Sequence, residues 1–365
     1  MSEDTLRNSK RARQSVSERV DVLAGRRIDL AARAAWLYHA KGKRQEEIAR
    51  IFNISRPVVQ RLIVLAASEN LIRFQLIHPL AECISLADRL KDQFELEYAE
   101  IVPSVAIQSE NVASVAAAAA FYLENLFQQM EPVTIGIGGW RVMHDASRLV
   151  TPMHRPMHRL FSLMGNMTRD GRAGHYDVIM GLAERTGAQC YPLPVPVVAG
   201  TVEEKTVLQA QTSFRASLAL VKEANVLMMN IGYVNHDAPL YRDGFITRQE
   251  LETVLAAGAV GDIFGNCFDA AGRLLDIGYH ERLTSFRLPS PAIRPTLIAQ
   301  CGAERVQAMR AALRGRLANG VITDEETAQL LIAADTDSVA RRRAPTGTSG
   351  KDIERAREGA DTDAK

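Results

Sequence analysis

The stretch Gln45–Asn70, QEEIARIFNISRPVVQRLIVLAASEN, decides the fold of the N-terminal part of the chain. Its apolar residues recur at helical spacing before and after a turn at Asn53–Ser55, which predicts two short helices that pack against each other. Ser55 is a predicted N-cap, and Pro57 falls in the first turn of the second helix, where a missing N–H costs little. Together with a helix predicted over residues 26–39, these elements form a helix-turn-helix arrangement.

In such an arrangement the N-terminal end of the third helix enters the major groove of DNA. Arginine and glutamine side chains suit base edges, and arginine and serine also bind phosphates. The predicted base-reading residues are Arg56, Val59 and Gln60, and the predicted phosphate contacts are Arg44, Ser55 and Arg61. The alternative is a helical hairpin of another all-α module, in which the arginines are only solvated.

The charge distribution agrees with a DNA-binding N-terminal part. Residues 1–77 contain 15 Lys and Arg against 8 Asp and Glu, a net charge of +7, whereas the remainder contains 29 against 35, a net charge of −6. A basic part on an acidic body is expected when only that part meets phosphates. A chance excess on a solvated face would produce the same numbers.

The totals describe an ordinary globular chain of 365 residues, long enough for two domains. The longest apolar run, Val112–Leu123, is too short to span a bilayer, and the polar N-terminus predicts no signal peptide. The four cysteines lie far apart without a CxxC motif, which predicts free thiols in a reducing cytoplasm and neither a metal site nor a disulfide. We therefore expect a cytoplasmic protein without a cofactor or membrane contact.

The pattern along the chain predicts five segments. Residues 1–25 form a flexible arm, 26–78 the helix-turn-helix DNA-binding domain, 79–97 a linker helix, 98–335 an α/β domain, and 336–365 a disordered tail. The linker helix is also a candidate for a subunit interface, because major-groove readers usually bind as dimers to two half-sites.

From Tyr98 onward, predicted strands and helices alternate. This alternation implies a mainly parallel sheet with helices on both faces, and such sheets bind ligands beyond the carboxyl ends of their strands. The loops that begin at Gly136, Gly165, Gly232 and Asp262 should therefore surround one crevice. The predicted strands cover residues 98–102, 133–136, 159–164, 189–193, 226–231, 262–268 and 274–277, and the predicted helices 112–129, 141–150, 176–186, 206–223 and 247–257.

Several residues of this crevice suit a sugar or an anion. The run GIGG at 136–139 ends a strand and opens a helix, where glycines and free N–H groups can hold an anion; a packing turn with Trp140 in the core is the alternative. The carboxylate of Asp262 could accept hydrogen bonds from sugar hydroxyls, or only cap a turn. Asn166 follows a strand-end glycine and should reach the same crevice. Weaker candidates are His175 and Tyr233.

Three stretches resemble the SorC family of bacterial sugar-responsive transcriptional regulators, loosely grouped with DeoR-type repressors. QEEIARIFNISRPVVQRLI at 45–63 is similar to the family's helix-turn-helix, GAVGDIFGNCFDAAG at 258–272 to a specific family signature, and AERVQAMRAALRGRLANGVITDEETAQLLI at 303–332 to its final helix, strand and helix. The resemblance covers most of residues 26–332. It implies a Rossmann-like effector domain with the fold of sugar-phosphate isomerases and glucosamine-phosphate deaminases. It also implies a homo-oligomer, a dimer or tetramer on operator DNA, and a small phosphorylated sugar or polyol as effector.

The resemblance also bears on single residues. The family has an Asp in the effector pocket at the position of Asp262 and commonly a Lys near the effector phosphate at the position of Arg305, for which a solvated surface arginine is the alternative. Where the family has Arg and Thr, the run Trp140-Arg141-Val142 keeps a cation and lacks the hydroxyl. The predicted effector contacts are Gly136, Gly138, Gly139, Trp140, Arg141, Asn166, Asp262 and Arg305. The stretches GGWRVMHD and LMGNMTRDG resemble family members that control erythritol catabolism.

These observations together predict a repressor of a sugar or sugar-alcohol catabolic operon that responds to a small carbohydrate. The alternative is a sugar-phosphate isomerase or deaminase with an appended DNA-binding module, since a fold alone does not decide function. The chain shows no convincing catalytic pair, and Lys205 and Lys222 have the pattern of helix-surface residues. A third hypothesis, a constitutive architectural DNA binder, leaves the large α/β domain unexplained.

Overall fold

The chain divides between residues 78 and 79 into two structural units. The computed structural model describes residues 27–69, 71–72, 81–139, 141–172 and 178–333. The predicted arm over 1–25 and the predicted tail over 336–365 lie outside the described residues.

Three helices lie within the described residues of the first unit. Helix α1 covers residues 27–39, α2 Gln45–Phe52 and α3 Arg56–Ser68. Asn53 ends α2 in the left-handed conformation (φ 52°), a backbone state that Asn tolerates better than most residues, and this sharp turn brings α3 across α2. The predicted helix-turn-helix arrangement is therefore present. The helices enclose a small apolar core of Ala31, Ala34, Ala35, Ile48, Ala49, Val59, Leu62 and Ala66.

Helix α4, Ala81–Phe94, opens the second unit. Its buried face belongs to the large core of that unit, with Leu90 fully buried and Leu86 and Phe94 nearly so. The segment predicted as a linker helix thus packs on the α/β unit along one side, because its apolar residues recur at helical spacing.

The second unit is built on a seven-stranded parallel sheet in the order β1-β10-β9-β5-β2-β3-β4. These strands are β1 Tyr98–Val102, β2 Thr134–Ile137, β3 Arg159–Ser162, β4 Gln189–Tyr191, β5 Val226–Met229, β9 Thr296–Ala299 and β10 Gly320–Asp324. An antiparallel sheet joins β6 Gly232–Tyr233, β7 Gly261–Ile263 and β8 Asn266–Phe268. The predicted α/β architecture is confirmed.

Helices cover both faces of the parallel sheet. Neighbouring strand residues point to opposite cores: Leu160 packs in one cluster with α5, α6 and α7, whereas Phe161 packs in the other with α4, α9, α11 and α12. The helices are α5 Gln108–Phe127, α6 Arg141–Leu149, α7 Val178–Thr186, α8 Val202–Ala210, α9 Thr212–Glu223, α10 Pro239–Arg242, α11 Arg248–Ala256, α12 Val306–Arg314 and α13 over residues 325–333. None of the helices within the described ranges is long and apolar enough to cross a bilayer.

The order of the strands creates a switch point between β2 and β5. From β2 the chain proceeds outward through β3 to β4, and it then returns to the other side of β2 with β5. Connections leave the carboxyl ends of these two neighbours in opposite directions, which opens a crevice between them.

Three sequence-based predictions differ from the structure. The helix predicted over 206–223 is two helices, because the extended backbone of Gln211 (ψ 143°) interrupts it. The strand predicted over 262–268 is the hairpin of β7 and β8, whose turn places Phe264 and Gly265 at positive φ. Residues 274–277 form no strand beyond one bridge from Leu274 to Phe268, and the central strand β9 was not predicted.

Candidate functional site

The N-terminal ends of α2 and α3 present the predicted DNA-contacting side chains. Arg56, the first residue of α3, is exposed, and its Nε lies 3.3 Å from Oε1 of Glu46. The same Nε donates to Oε1 of Gln45 at 3.5 Å. Of the other predicted contacts, Arg44, Ser55, Gln60 and Arg61 are also exposed.

Val59 departs from its predicted role, whereas Ser55 holds its predicted N-cap position without the side-chain hydrogen bond. Ser55 occupies the N-cap position, but its hydroxyl makes no capping hydrogen bond, and only its backbone carbonyl accepts from Val58 and Val59. Val59 is fully buried, one turn before Leu62 on the inner face of α3. A side chain in the core cannot reach a base edge, so the assignment of Val59 as a base-reading residue was wrong.

The second unit contains a cavity of about 450 Å³ beyond the carboxyl ends of β2, β5 and β9. It lies at the switch point of the sheet, where the topology favours ligand binding. The start of α5 and the loops after these three strands form its wall. Its lining residues are Gln108, Ser109, Val112, Arg141, Val142, Asn230, Ile231, Gly232, Tyr233, Pro239, Leu240, Arg242, Asp243, Asp262, Gln300, Cys301, Glu304 and Arg305.

Asp262 is the buried carboxylate of the cavity. It lies on β7, beside Gly232 of β6, and is 5% exposed. Burial raises the pKa of Asp262 to about 6, and the backbone N–H of Gly265, which donates to Oδ2 at 2.8 Å, opposes that rise. A buried acceptor with a raised pKa can bind hydroxyl groups as a carboxylate or donate to them as an acid.

Gly232 makes room for this carboxylate. A methyl group at Gly232 would lie 1.9 Å from Oδ1 of Asp262, and a buried side chain has no space in which to retreat. Only glycine therefore fits beside Asp262 at this strand pairing.

We expect Gly232→Ala to lower the free energy of unfolding by about 1–3 kcal/mol, because the added methyl group overpacks the β6–β7 contact. The matched control is Gly278→Ala, where a methyl group would meet nothing within 4 Å. Urea denaturation of both variants measures the difference. A Gly232→Ala variant as stable as Gly278→Ala would contradict this packing.

A pair of amides forms the floor of the cavity after β5 and β9. Nδ2 of Asn230 donates to Oε1 of Gln300 at 2.9 Å and to the carbonyl of Ala299 at 2.8 Å, and the N–H of Ile231 donates to Gln300 at 3.2 Å. These bonds fix the orientation of both amides, so the cavity has preorganised polar groups.

Arg305 supplies a partly buried cation at the cavity wall. Its guanidinium lies over the ring of Tyr233, 5.5 Å from the centroid, and pairs with Glu304. Glu304 and the amide of Gln108 both approach Gly302, so a carboxylate of the chain itself lies near the start of α5. An anionic ligand group would find Arg305 and this helix N-terminus on the same side of the cavity.

The structure brings together three of the predicted effector contacts: Arg141, Asp262 and Arg305 line one cavity. Tyr233, a weaker candidate, lines it as well.

The other predicted effector contacts are placed differently. Gly136 lies within β2 and faces Leu227 and Phe161, Gly138 faces the ring of Phe264, and Gly139 (φ +138°) faces Asn230. None of these glycines, nor Asn166, whose N–H donates to Leu193, is among the residues that line the cavity. Trp140 and His175 lie outside the described residues.

Sequence reasoning missed Gln108, Asn230 and Gln300. Gln300 comes directly after the unpredicted β9. Gln108 is the first residue of α5, which was predicted to begin only at Val112, and Asn230 directly follows β5, which was predicted to continue to residue 231. A polar residue at the carboxyl end of an apolar strand was the available signal. In the described part of the chain, no group of three or more His, Cys, Asp or Glu could hold a metal ion.

The second unit belongs to a known family of domains. Residues 78–333 match the family model described as "Putative sugar-binding domain", and the chain belongs to this family. The resemblance to SorC-type regulators is confirmed by the relatives of the whole chain.

Two relatives are named as regulators. The erythritol catabolism regulatory protein EryD of Brucella abortus (strain 2308) is 30% identical over 303 residues, which cover 83% of this chain and 96% of that protein. The transcriptional regulator LsrR of Enterobacter sp. (strain 638) is 28% identical over 309 residues, which cover 84% and 93%. Both alignments extend beyond the sugar-binding domain.

One solved structure covers the same extent of chain. The crystal structure of the full-length sorbitol operon regulator SorC from Klebsiella pneumoniae aligns with a TM-score of 0.66 at 22% identity, and covers 84% of this chain and 98% of that chain. This likeness supports the fold. The two relatives are named as a regulatory protein of erythritol catabolism and as a transcriptional regulator.

Proposed function

We propose that this protein is a DNA-binding transcriptional regulator, a repressor, of a sugar or sugar-alcohol catabolic operon. Arg56, Gln60 and the flanking phosphate contacts bind operator DNA. A small carbohydrate in the α/β cavity controls the affinity of that binding. The observation that carries the proposal is the presence, in one chain, of a helix-turn-helix unit and a cavity with a buried acid and cations. For ligand to act, it must bind the DNA-competent and DNA-incompetent states differently.

The cavity chemistry supports a polyhydroxylated, phosphorylated ligand. Asp262 and the oriented amides of Asn230 and Gln300 suit hydroxyl groups, which need both donors and acceptors. Arg305 and Arg141, which opens α6, suit an anionic group. A relative is named for erythritol catabolism, so four-carbon polyols and their phosphates are the first ligands to test.

We expect one of these compounds to raise the melting temperature, because a ligand that binds only the native state stabilises it by mass action. At a hundredfold excess over the dissociation constant the stabilisation is about 2.7 kcal/mol. The measurement is a thermal-shift screen of erythritol, sorbitol, their phosphates and inorganic phosphate. If neither the sugar phosphates nor the free polyols shift the wild type at millimolar concentration, the proposed ligand class is wrong.

We also propose that the protein acts as a dimer or tetramer. Helix-turn-helix units read half-sites about one DNA turn apart, and two units on one oligomer match such a site. Light scattering of the full chain, alone and with DNA, measures the number of copies. A monomer in both conditions would contradict this part of the proposal.

One observation favours an enzyme as the second candidate function. Asp262 is a buried acid with a pKa of about 6, a property of general bases in sugar-phosphate isomerases and other enzymes. Against this, no Lys or His is among the residues that line the described cavity. Burial also raises the pKa of Cys301 to about 12, which leaves its thiol a weak nucleophile. A turnover assay with common sugar phosphates separates the two functions.

A further inference from the structure

The first turn of α2 contains two adjacent glutamates with different contacts. Glu47 completes the capping of the helix: its carboxylate accepts the backbone N–H of Arg44 at 2.9 Å and pairs with Lys43 at 3.2 Å. Glu46 takes no part in this capping box. Its carboxylate instead contacts Arg56, ten residues further along the chain.

The contact between Glu46 and Arg56 contributes little to stability. The two side chains are 55% and 64% exposed, and exposed ion pairs are typically worth well under ~1 kcal/mol. It also places a negative charge at the N-terminal end of α3, the part of the unit that should face the phosphates of DNA. A carboxylate there weakens attraction to any DNA, whatever its sequence.

The geometry of the contact between Glu46 and Arg56 suggests what compensates for the weaker attraction to DNA. Both Glu46 and Gln45 meet Arg56 at its Nε. The bidentate contact of an arginine with guanine can be made by its two terminal Nη groups. When Glu46 and Gln45 hold the guanidinium of Arg56 by Nε, its two Nη groups point away from them. Arg56 then loses less side-chain freedom when it binds a base.

We propose that Glu46 is a positioning residue that increases the sequence specificity of this protein. It holds Arg56 by Nε for base contact and repels phosphates that a freely moving Arg56 would bind in any sequence. Glu46 thereby lowers the affinity for DNA of any sequence and raises the preference for the selected sequence over other sequences. The inference rests on the proposed function, since it assumes that Arg56 contacts DNA.

The test uses the full-length protein, a duplex selected by the wild type from a random pool, and a scrambled duplex of the same composition. Dissociation constants for both duplexes are measured by fluorescence anisotropy at several salt concentrations. Glu46→Ala should bind the scrambled duplex about threefold more tightly and lower the ratio of selected to scrambled affinity about three- to fivefold. Circular dichroism confirms that the helices remain.

Two controls separate positioning from net charge. Asp29→Ala removes the same charge from the same unit, where Asp29 pairs with Arg33 at 2.9 Å on α1, and should leave the ratio unchanged. In an Arg56→Ala background, Glu46→Ala should change both affinities by the same factor, because no guanidinium remains to be positioned.

The outcomes distinguish the inference from the function on which it rests. The positioning role is overturned if Glu46→Ala leaves the ratio of selected to scrambled affinity unchanged, or if it lowers that ratio as much in the Arg56→Ala background as in the wild type. If Arg56→Ala itself binds the selected duplex as well as the wild type does, the DNA-reading role of α3 fails first.

Discussion

Replacing Asp262 with asparagine is expected to abolish the response of DNA binding to carbohydrate and, at neutral pH, to stabilise the free protein. The stabilisation follows from the raised pKa of Asp262. Because the native state disfavours the charged carboxylate, unfolding becomes easier as the pH rises from the ordinary value of 3.8 through about 6. The shift corresponds to about 3 kcal/mol above pH 6, and asparagine removes this cost without changing the shape of the side chain.

The pH dependence provides the test. The melting temperature of Asp262→Asn should exceed that of the wild type above pH 6, and the difference should shrink as the pH falls and vanish only well below 3.8, where the carboxyl group is protonated in both the native and the unfolded state. Asp269→Asn is the matched control with the opposite sign, because Arg273 at 2.7 Å and two backbone N–H groups help to lower the pKa of Asp269. That variant should be less stable than the wild type at neutral pH and should keep its ligand response.

A gain in stability with a loss of ligand response would identify Asp262 as a functional residue, since a purely structural residue is not expected to stabilise when it is changed. A melting temperature that falls at every pH would mean that the carboxylate is needed for folding. A retained response to carbohydrate would remove Asp262 from the ligand site.

Arg56→Ala is expected to weaken binding to the selected DNA about 5- to 150-fold, equivalent to one bidentate base contact of about 1–3 kcal/mol. The melting temperature should change little, because Arg56 is exposed and its ion pair with Glu46 lies at the surface. Thermal shift with carbohydrate should be unchanged, because the residues that line the cavity all belong to the second unit.

The control for Arg56 is Arg33→Ala, which removes an arginine of similar exposure from α1. Anisotropy titrations at a fixed salt concentration compare both variants with the wild type. Equal losses in the two variants would mean that Arg56 contributes only charge, and an unchanged affinity for Arg56→Ala would remove it from the DNA-binding face.

The sequence predicted the helix-turn-helix unit well because its determinants are local. The spacing of Ile48, Leu62 and Ala66, the turn at Asn53 and the proline in the first turn of α3 are all read within one window of sequence. Val59 shows the limit of that reading. Its assignment to the groove considered only its position near Arg56, although it lies three residues before Leu62 and seven before Ala66, on the face that helical spacing assigns to the core.

The α/β unit was harder to predict where short strands meet tight turns. The hairpin of β7 and β8 contains an apolar residue, Phe264, at positive φ, where turn patterns lead one to expect Gly or Asn. Strand β9 has only four residues and follows a proline-rich stretch, so that its place in the middle of the sheet comes from its neighbours β5 and β10. Propensity does not contain such long-range information.

The sequence predicted only some of the residues that line the cavity, because the cavity also depends on contacts between distant parts of the chain. Asp262 was named from its place in a crevice loop and from the family resemblance, and Arg305 was named from the resemblance. The structure places both in the lining of one cavity although they lie 43 positions apart in the sequence. The glycines at 136–139 were expected to approach an anion, but their open sides face Phe161, Phe264 and Asn230. Their small size therefore serves close packing at the switch point.

The central claim is that a carbohydrate controls DNA binding, and its most direct test measures the DNA affinity of the protein without and with that ligand. Binding of the full-length wild type to its selected duplex is titrated by anisotropy without and with a saturating concentration of the compound that most raises the melting temperature, and Asp262→Asn is titrated alongside. If the protein is a carbohydrate-controlled repressor, the ligand weakens DNA binding of the wild type at least tenfold and leaves that of Asp262→Asn unchanged. An identical DNA affinity of the wild type with and without that ligand would contradict the account.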